Sequence, residues 1–422
     1  MKKMVKNSIV LGIILLFVGT SVVPHINSEK IDFKQSGISI STRQNIVYVN
    51  DDYNETTPNW NVTHFDKIQE GINAVNETGI VYVCNGTHYE NIIIEKELTL
   101  MGVDEDGWGN DNFTIIDGRE NDSILFINIS NVKISGFIIV NSSWVAIKIS
   151  NSQNIEIFQN TIINSQYCIV SHNSNNIKIF RNIFINNSEC IEIDKSVNTL
   201  IHNNSFLDNQ WGLTICGNSF NIIVRDNDFR NIEYDSVFCT FSNSNYFLYN
   251  NFTDCGIGIQ LYQSNDNSIN FNRFINSKTG ITASGSDFNL ITWNFIQGGG
   301  NIENITGIFL LEGGSNRILN NRISYNVVGL WLRYLSGNND IQYNCIEDNG
   351  IGIQIQNSKR REFIRYNNIM NNEIRDMVAL ATIGWYPFNY WGRWRPFQGQ
   401  IFRIGIVIIF PPWPKEFTGI CP

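Results

Sequence analysis

The chain has 422 residues, of which 42% are apolar and 16% charged, and its formal net charge is −9. This apolar fraction excludes a disordered chain, and the low charged fraction excludes a coiled coil. With 32 glycines and 8 prolines, collagen and proline-rich spacers are excluded as well. Because phosphate binding needs a basic surface, the acidic balance argues against nucleic acid as a partner.

The first 28 residues have the layout of an export signal. Three lysines among the first six residues precede a short apolar run from Ile9 to Val18, which is the pattern of a secretory signal peptide. An uncleaved N-terminal anchor is the alternative. No later segment is long and apolar enough to span a bilayer. We therefore expect a secreted or cell-surface protein with a signal peptide at 1–28, a linker at 29–45 and no membrane span in the mature chain.

A short repeat, marked by asparagine, fills the middle of the chain. The asparagines recur at a nearly constant interval, with one longer interval before Asn321, at Asn160, Asn182, Asn204, Asn227, Asn250, Asn272, Asn294, Asn321, Asn344 and Asn367. Within each unit, apolar and polar residues alternate as in a strand. A steady period with strand-type alternation predicts an all-β solenoid, a parallel β-helix in which each repeat is one coil. Asparagine is depleted in strands, so we expect it in turns, hydrogen-bonded to its copy one coil away.

Both ends of such a solenoid need a cap. Phe65, Ile68, Ile72 and Val75 share one helical face, and a capping box from Thr63 to Asp66 starts this helix. We predict an N-terminal cap and first coils at 46–120, repeats at 121–372 and a C-terminal aromatic cap at 373–422. That last segment would be either a hydrophobic plug or a sugar-stacking platform, and its aromatic residues include Trp385, Tyr390, Trp391, Trp394 and Trp413.

The chain resembles a known family at both ends of the repeat. The segments Ile46-Val47-Tyr48-Val49, Gly86-Thr87-His88-Tyr89-Glu90 and Asn389-Tyr390-Trp391-Gly392 are similar to those of NosD-like right-handed β-helix proteins. These share the fold of pectate lyases and of the carbohydrate-binding and sugar-hydrolase (CASH) domain. The resemblance implies a single-stranded right-handed parallel β-helix but not one activity, since the group includes lyases, hydrolases, epimerases and non-catalytic surface proteins.

NosD itself is associated with copper-site maturation in nitrous oxide reductase. This chain has five His and five Met, scattered and without copper-ligand spacing. Copper handling is therefore the third hypothesis of function, behind two others that concern carbohydrates.

One outward-facing column of the predicted helix carries chemically useful side chains. Lys148, His172, Asp194 and Cys216 follow one another at about one repeat each, and Glu192 lies two residues before Asp194. A polysaccharide lyase could use Lys148 or His172 as its base, with Glu192 and Asp194 binding Ca²⁺. A glycoside hydrolase could use Glu192 and Asp194 as its carboxylate pair. The alternative is an ordinary polar surface with cross-strand ion pairs.

Further along the chain, the same column is predicted to contain Gln260, Ser284, Leu311, Arg333 and Gln354. The next column contains Phe309 and Trp331. We expect Trp331, Arg333, Phe309 and Gln260 to bind a sugar, or else to pack under the loop that contains Gly298-Gly299-Gly300.

The cysteines also follow the repeat. Cys168 and Cys190 are one repeat apart, and so are Cys216 and Cys239. Stacked coils bring Cα atoms within disulfide range, and an exported protein favours oxidation. We therefore predict the bridges Cys168–Cys190 and Cys216–Cys239, with a buried ladder of free thiols as the alternative.

Two main hypotheses of function remain. In the first, a non-catalytic secreted or surface β-helix binds polysaccharides, surface glycans or other surface components. In the second, the same face belongs to a secreted polysaccharide lyase or glycoside hydrolase, with Ca²⁺ as its candidate cofactor. Asn-dominated turns, scarce His and the lack of an acid–base motif favour the first.

Overall fold

The structure is a computed structural model. It describes residues 44–103, 113–119, 123–299, 305–358, 362–380, 384–386, 388–391 and 407–408. The predicted signal peptide, most of the predicted linker, Gly300, Trp394 and Trp413 lie outside the described residues.

The described residues form one helix and a long series of short strands. The helix is α1 (Ile68–Ala74). In chain order the strands are β1 (Ile46–Val49), β2 (His64–Phe65), β3 (Gly79–Val83), β4 (Gly86–His88), β5 (Ile92–Ile94), β6 (Leu98–Gly102), β7 (Thr114–Asp117), β8 (Leu125–Ile127), β9 (Val132–Ser135), β10 (Phe137–Val140), β11 (Val145–Ser150), β12 (Gln153–Phe158), β13 (Thr161–Ile163), β14 (Tyr167–His172), β15 (Asn175–Phe180), β16 (Ile183–Ile185), β17 (Glu189–Asp194), β18 (Leu200–His202), β19 (Ser205–Leu207), β20 (Trp211–Cys216), β21 (Ile223–Arg225), β22 (Asp228–Arg230), β23 (Asp235–Thr240), β24 (Tyr246–Leu248), β25 (Asn251–Thr253), β26 (Ile257–Tyr262), β27 (Ser268–Asn270), β28 (Arg273–Ile275), β29 (Thr279–Ser284), β30 (Leu290–Thr292), β31 (Phe295–Gln297), β32 (Thr306–Leu311), β33 (Arg317–Leu319), β34 (Arg322–Ser324), β35 (Val328–Arg333), β36 (Asp340–Gln342), β37 (Cys345–Glu347), β38 (Ile351–Gln356), β39 (Glu362–Arg365), β40 (Asn368–Met370), β41 (Arg375–Leu380), β42 (Gly384–Trp385) and β43 (Val407–Ile408).

These strands form three parallel sheets that run along the solenoid. The first sheet begins with β1, β3 and β6 and continues through every third strand to β42 and β43, with β2 also paired to β1. The second sheet runs from β4 to β40, and the third from β5 to β41. Each step pairs residues one repeat apart, as in Ile169 with Ile191 and Ile191 with Leu213. The predicted parallel β-helix is therefore confirmed.

A buried asparagine ladder occupies the corner between the first and second sheets. The backbone N–H and the Nδ2 of Asn182 both donate to Oδ1 of Asn204, at 2.9 and 3.1 Å. Its Nδ2 also donates to the carbonyl of Ile157 at 2.8 Å. Neighbouring coils repeat this pattern, for example at Asn227 and Asn250. Each asparagine thus satisfies buried polar groups of two coils, which explains why this residue marks every repeat.

The core between the sheets is a stack of aliphatic and aromatic columns. Phe184, Phe206, Phe229, Phe252 and Phe274 are fully buried or nearly so, and successive rings stack at 4.8, 4.3, 5.0 and 4.6 Å between centroids. Burial of one such side chain contributes on the order of 3 kcal/mol, and ring stacking adds to this. A rigid core of this kind fixes the outward side chains at one-coil intervals.

Helix α1 packs at the N-terminal end of the core, where Ile68 and Ile72 are buried. The predicted capping box is wrong. Lys67 is the N-cap and its side chain makes no cap hydrogen bond. Instead, the carboxylate of Glu90 accepts from the backbone N–H groups of Ile68 and Gln69, at 2.7 and 3.0 Å, and satisfies the free helix donors from a neighbouring coil.

At the C-terminal end, Tyr386 is fully buried and Trp391 packs against the core. Within the described part of the chain, no helix combines the length and the apolar character that crossing a bilayer requires.

Candidate functional site

The third sheet presents its side chains in an irregular alternation. In β17, Glu189, Glu192 and Asp194 are partly exposed, whereas the two consecutive residues Cys190 and Ile191 are both buried. The same break recurs in β14 and β20, where the coil turns a corner at the buried second residue. Strict two-residue alternation therefore identifies Glu192 and Asp194 but misses Glu189. We call these three carboxylates the acidic patch.

The acidic patch is linked to strands on either side of β17. Nδ1 of His172 lies 2.6 Å from Oδ2 of Asp194, an ion pair when the imidazole is protonated. The thiol of Cys216 donates to the other oxygen of Asp194 at 3.7 Å. His172, Asp194 and Cys216 are in register, as the sequence predicts.

The patch also shifts the pKa values of its members. Burial first, and then the negative charge of Asp194, raise the pKa of Glu192. Burial is also the main cause that raises the pKa of Glu189. For Cys216, burial and the adjacent Asp194 raise the pKa to about 12, so this thiol stays protonated at neutral pH and is a poor nucleophile. Closely spaced carboxylates with raised pKa values are typical of binding and catalytic sites.

Lys148 does not belong to this column, and the prediction that placed it there is wrong. It pairs with Val170, which in turn pairs with Glu192. Lys148 therefore lies two coils, or about 10 Å, from Glu192. Its ammonium group lies over the ring of Phe126, 5.7 Å from the centroid. The interval from Lys148 to His172 is longer by two residues than the local repeat, which moves Lys148 one outward position along the strand.

Aromatic side chains flank the acidic patch at the N-terminal ends of the strands of the third sheet. Trp144 and Tyr167 form an edge-to-face pair at 5.4 Å, and Trp211 and Tyr234 stack at 5.0 Å. Glu189 lies between these pairs, in register with Tyr167 on one side and Trp211 on the other. Burial, followed by the charges of Glu189 and Glu192, raises the pKa of Tyr167. We call these four aromatic residues the aromatic row.

A groove opens beside the aromatic row, in the turn between the second and third sheets. A second buried asparagine ladder passes through this turn, where the backbone N–H of Asn187 donates to Oδ1 of Asn209 at 2.8 Å. Ile232 takes the next position and interrupts the ladder, which resumes at Asn326, where the backbone N–H donates to Oδ1 of Asn349 at 3.0 Å. The groove has a volume of about 530 Å³, and its charged lining residues are Asp208, Glu233, Asp254 and Lys278. We call it the turn groove.

One extra residue follows this position, at the start of β23. Tyr234 donates its backbone N–H to Gln210 at 2.9 Å and accepts from Ile257 at 2.8 Å, while Asp235 is the residue in register with Ile257. Tyr234 and Asp235 together thus oppose the single residue Trp211, which is a β-bulge. A Cβ atom at Gly256 would lie 2.4 Å from the carbonyl oxygen of Tyr234. The next coil therefore needs glycine at this position.

The bulge leaves two side chains in unusual surroundings. Tyr234 is 46% exposed, and hydrogen bonding to the carboxylate of Glu233 raises the pKa of its hydroxyl group. Asp235 is only 6% exposed, and burial raises its pKa to about 7. The sequence does carry a signal of the bulge, since Asn204 to Leu213 spans one residue fewer than Asn227 to Val237.

The predicted ligand-binding residues lie farther along the same sheet, in a corrected register. Gln260 belongs to the column of Phe309 and Trp331, since Gln260 pairs with Thr282 and Thr282 with Phe309. Gln354 belongs there too, next to Trp331. Arg333 continues the column of Asp194, as predicted, through Leu311. Six coils separate Arg333 from Asp194, or about 29 Å, so the structure does not bring the two predicted groups together.

The two predicted disulfides have different outcomes. Cys168 and Cys190 are buried at equivalent positions of β14 and β17, and both are free thiols, which matches the thiol-ladder alternative. The pairing of Cys216 with Cys239 is wrong, because Cys239 is in register with Ile215. Cys239 faces the core and Cys216 faces outwards, so their side chains lie on opposite sides of the sheet and cannot form a bridge.

Metal binding has little support in the described part of the chain. No group of three or more His, Cys, Asp and Glu side chains there is arranged to hold a metal ion. Oxygens of Asp194 face His172 and Cys216.

Comparison with known proteins agrees with this architecture. The family model described as periplasmic copper-binding protein (NosD) matches residues 189–306 and 232–393. No curated protein sequence matches the chain significantly.

Several solved structures share the fold at low sequence identity. PfbA, a surface adhesin of Streptococcus pneumoniae, has a TM-score of 0.54 at 17% identity, over 64% of this chain and 86% of the adhesin. DFA-IIIase from Arthrobacter chlorophenolicus A6 has a TM-score of 0.51 at 12% identity, over 75% and 95%. ORF18 of Geobacillus virus E2 has a TM-score of 0.50 at 16% identity, over 59% of this chain and only 56% of the viral protein. At such identities the likeness concerns the fold alone. The family match, the register of the sheets and these structures agree on a parallel β-helix of the pectate-lyase-like fold that is similar to NosD.

Proposed function

We propose that the protein is an exported β-helix that binds glycans, without catalysis, on the outer face of the third sheet around β14, β17 and β20. The observation that carries this proposal is the position of Glu189, in register between Tyr167 and Trp211. Two coils separate the aromatic residues, so their backbones are about 10 Å apart. One sugar ring could lie between the two aromatic side chains, above the carboxylate.

We call the space between Tyr167 and Trp211, above Glu189, the slot, and its chemistry suits a carbohydrate. Tyr and Trp offer large apolar surfaces with a polar edge, which match the C–H face of a sugar ring. Ionised carboxylates accept hydrogen bonds from several hydroxyl groups at once. Glu189 and Glu192 would repel a uronate, so the slot should prefer neutral sugars or amino sugars.

The turn groove extends this surface. Tyr234 stacks on Trp211 and borders the groove through its neighbour Glu233. Amide and carboxylate groups line the groove at successive coils, with Asn231 donating to Asp208 at 2.6 Å. A linear glycan that lies along the solenoid would meet one set of polar groups per coil, since strands repeat about every 4.8 Å.

The first experiment is a glycan array probed with the mature chain, followed by calorimetric titration of the best ligand. Trp211→Ala should lower the affinity by about tenfold or more, because one stacked aromatic contact is lost. Glu189→Gln keeps the size of the side chain and tests its charge. The matched control is Tyr249→Ala, which removes a 57% exposed ring stacked on Phe271 at another turn. Equal losses in Trp211→Ala and the control would refute the proposed slot.

A second candidate function is hydrolysis or lyase chemistry at the acidic patch. Glu192, which lies beside Asp194, has a raised pKa. Asp194 in turn contacts His172. Both observations favour this candidate. A carboxyl group with a raised pKa, such as Glu192, could serve as a proton donor, and His172 could instead act as a base. Product release from the bound glycan that disappears in Glu192→Gln would establish catalysis. An intact glycan after prolonged incubation supports binding alone.

Calcium remains a prediction for Glu192 and Asp194. Oxygen ligands are what Ca²⁺ prefers, and the two residues share the outer face of β17. Calorimetric titration of the glycan in the presence of Ca²⁺ and in the presence of EDTA tests whether calcium takes part in binding. If EDTA leaves the Kd for the glycan unchanged, calcium binding at Glu192 and Asp194 is not part of glycan recognition.

Export is supported by the signal-like N-terminus and by the periplasmic description of the matching family. Cell fractionation of the tagged full chain tests it. Recovery of the protein in the cytoplasmic fraction alone would contradict export.

A further inference from the structure

The far end of the same face carries hydrogen-bond donors without acceptors. Nε1 of Trp331 and Nε of Arg333 are both buried, and neither has a hydrogen-bond partner among the described residues. The two residues lie two positions apart in β35, on its outer side. A buried donor without an acceptor is costly, and two such donors side by side call for a shared acceptor.

The neighbours of this pair do not supply that acceptor. Trp331 lies in register between Phe309 and Gln354, and Arg333 lies between Leu311 and Gln356. None of these four side chains is acidic. Within the described part of the chain, Arg333 has no ion pair, and its guanidinium group lies 4.9 Å from the ring centroid of Tyr334.

An aromatic surface lies directly beside the donors. The rings of Phe309 and Trp331 are 4.9 Å apart and tilted by 38°, and both side chains are partly exposed. Arg recognises planar oxyanions through its fork of N–H groups, and the indole N–H adds a neutral donor. Together these groups offer an apolar surface for a ring and donors for a negative group that the ring carries.

We infer that Phe309, Trp331 and Arg333 form a binding site for an acidic sugar, whose carboxylate or sulfate accepts from Trp331 and Arg333. This site lies about 29 Å from the acidic patch, so it does not depend on the slot at Glu189. The two ends of the face thus select opposite chemistry, with negative side chains at β17 and donors at β35.

The test is calorimetric titration of the full chain with three oligosaccharide probes. These are trigalacturonate, a sulfated heparin tetrasaccharide and neutral cellotriose. We expect at least one acidic probe to bind about tenfold or more tightly than cellotriose, and the stronger of the two identifies carboxylate or sulfate as the preferred group. Equal binding of all three probes, or no binding of either acidic probe, overturns the inference.

Variants localise the site. Trp331→Phe keeps an aromatic ring and deletes only the N–H donor, and Arg333→Met deletes the cation. Each should weaken the acidic probe about tenfold or more. Arg273→Met removes an exposed arginine of the second sheet and controls for net charge. Equal losses in all three variants, or unchanged affinity in Trp331→Phe and Arg333→Met, would contradict the assignment.

Two further measurements separate loss of binding at β35 from misfolding and from binding at the slot. Trp331→Phe should melt at the same temperature as the wild type or higher, because it removes an unpartnered buried donor. Trp211→Ala should leave binding of the acidic probe unchanged. Loss of the acidic probe in Trp211→Ala would place that ligand at the slot instead, and would refute a separate site at β35.

Discussion

Replacing Asp235 by asparagine should stabilise the protein in a pH-dependent way. Asp235 lies at the bulge of the third sheet, only 6% exposed, and burial raises its pKa from 3.8 to about 7. A group whose pKa is raised by folding contributes its stability fully below the unfolded pKa and loses it as the pH rises through the folded pKa. The folded state therefore loses stability between about pH 4 and pH 7.

The size of the effect follows from the shift. A rise from 3.8 to about 7 corresponds to about 4 kcal/mol once the buried carboxyl is fully ionised. Between pH 5 and pH 8 the wild type should lose about 3 kcal/mol of this. Asp235→Asn carries no charge at either pH, so its advantage in unfolding free energy over the wild type should grow by about that amount.

Urea denaturation of both proteins at pH 5 and pH 8 measures this difference. The control is Asp266→Asn, at an exposed turn position with φ of 56°, where asparagine is well tolerated. This control makes the same chemical change at a carboxylate that is not buried. An advantage of Asp235→Asn that does not change with pH would refute the burial argument.

Three other substitutions test the framework of the solenoid by thermal and urea unfolding. Asn250→Ala removes the acceptor of two Asn227 donors and should cost about 3 kcal/mol or more; a loss below about 1 kcal/mol would contradict the ladder. Phe229→Ala opens a hole between stacked rings and should cost about 3–5 kcal/mol, whereas the control Phe288→Ala, 62% exposed, should cost little. Burial raises the pKa of Glu362, so Glu362→Gln should match the wild type below pH 4 and exceed it in stability increasingly as the pH rises above 5. An advantage of Glu362→Gln that is largest in acid would contradict the direction of that shift.

The repeat could be predicted because its physical cause lies in the sequence itself. Asn182 and its equivalents recur at the coil period, since each one hydrogen-bonds the next coil. The alternation of apolar residues likewise predicts which residues enter the core. The offset of one repeat correctly places His172, Asp194 and Cys216 together.

The errors arise where the spacing departs from the local repeat by one or two residues and the register changes. Lys148 precedes His172 by two residues more than the local repeat, and those extra residues move it to the other outward column. A slip of a single residue separates Cys216 from Cys239, and this puts them on opposite sides of the sheet because a shift of one residue exchanges the two faces of a strand. Strict alternation does not predict that Glu189 faces outwards, because the corner at Cys190 interrupts the alternation.

The turn groove could not be predicted from the sequence, for a different reason. The extra residue before Val237 is visible in the spacing, but it does not predict a groove. The close approach of Gly256 to the backbone of Tyr234 depends on contacts between coils. Likewise, Glu90 replaces the expected cap of α1 from a neighbouring coil, and local pattern does not reveal such a partner.

The most direct test of glycan binding at the third sheet is a crystal structure of the mature protein soaked with the ligand selected on the array. We expect a sugar ring between Tyr167 and Trp211, with hydroxyl groups donating to Glu189 and the chain continuing towards Tyr234. A sugar bound elsewhere on the solenoid, with the space between Tyr167 and Trp211 left to solvent, would contradict the proposed function.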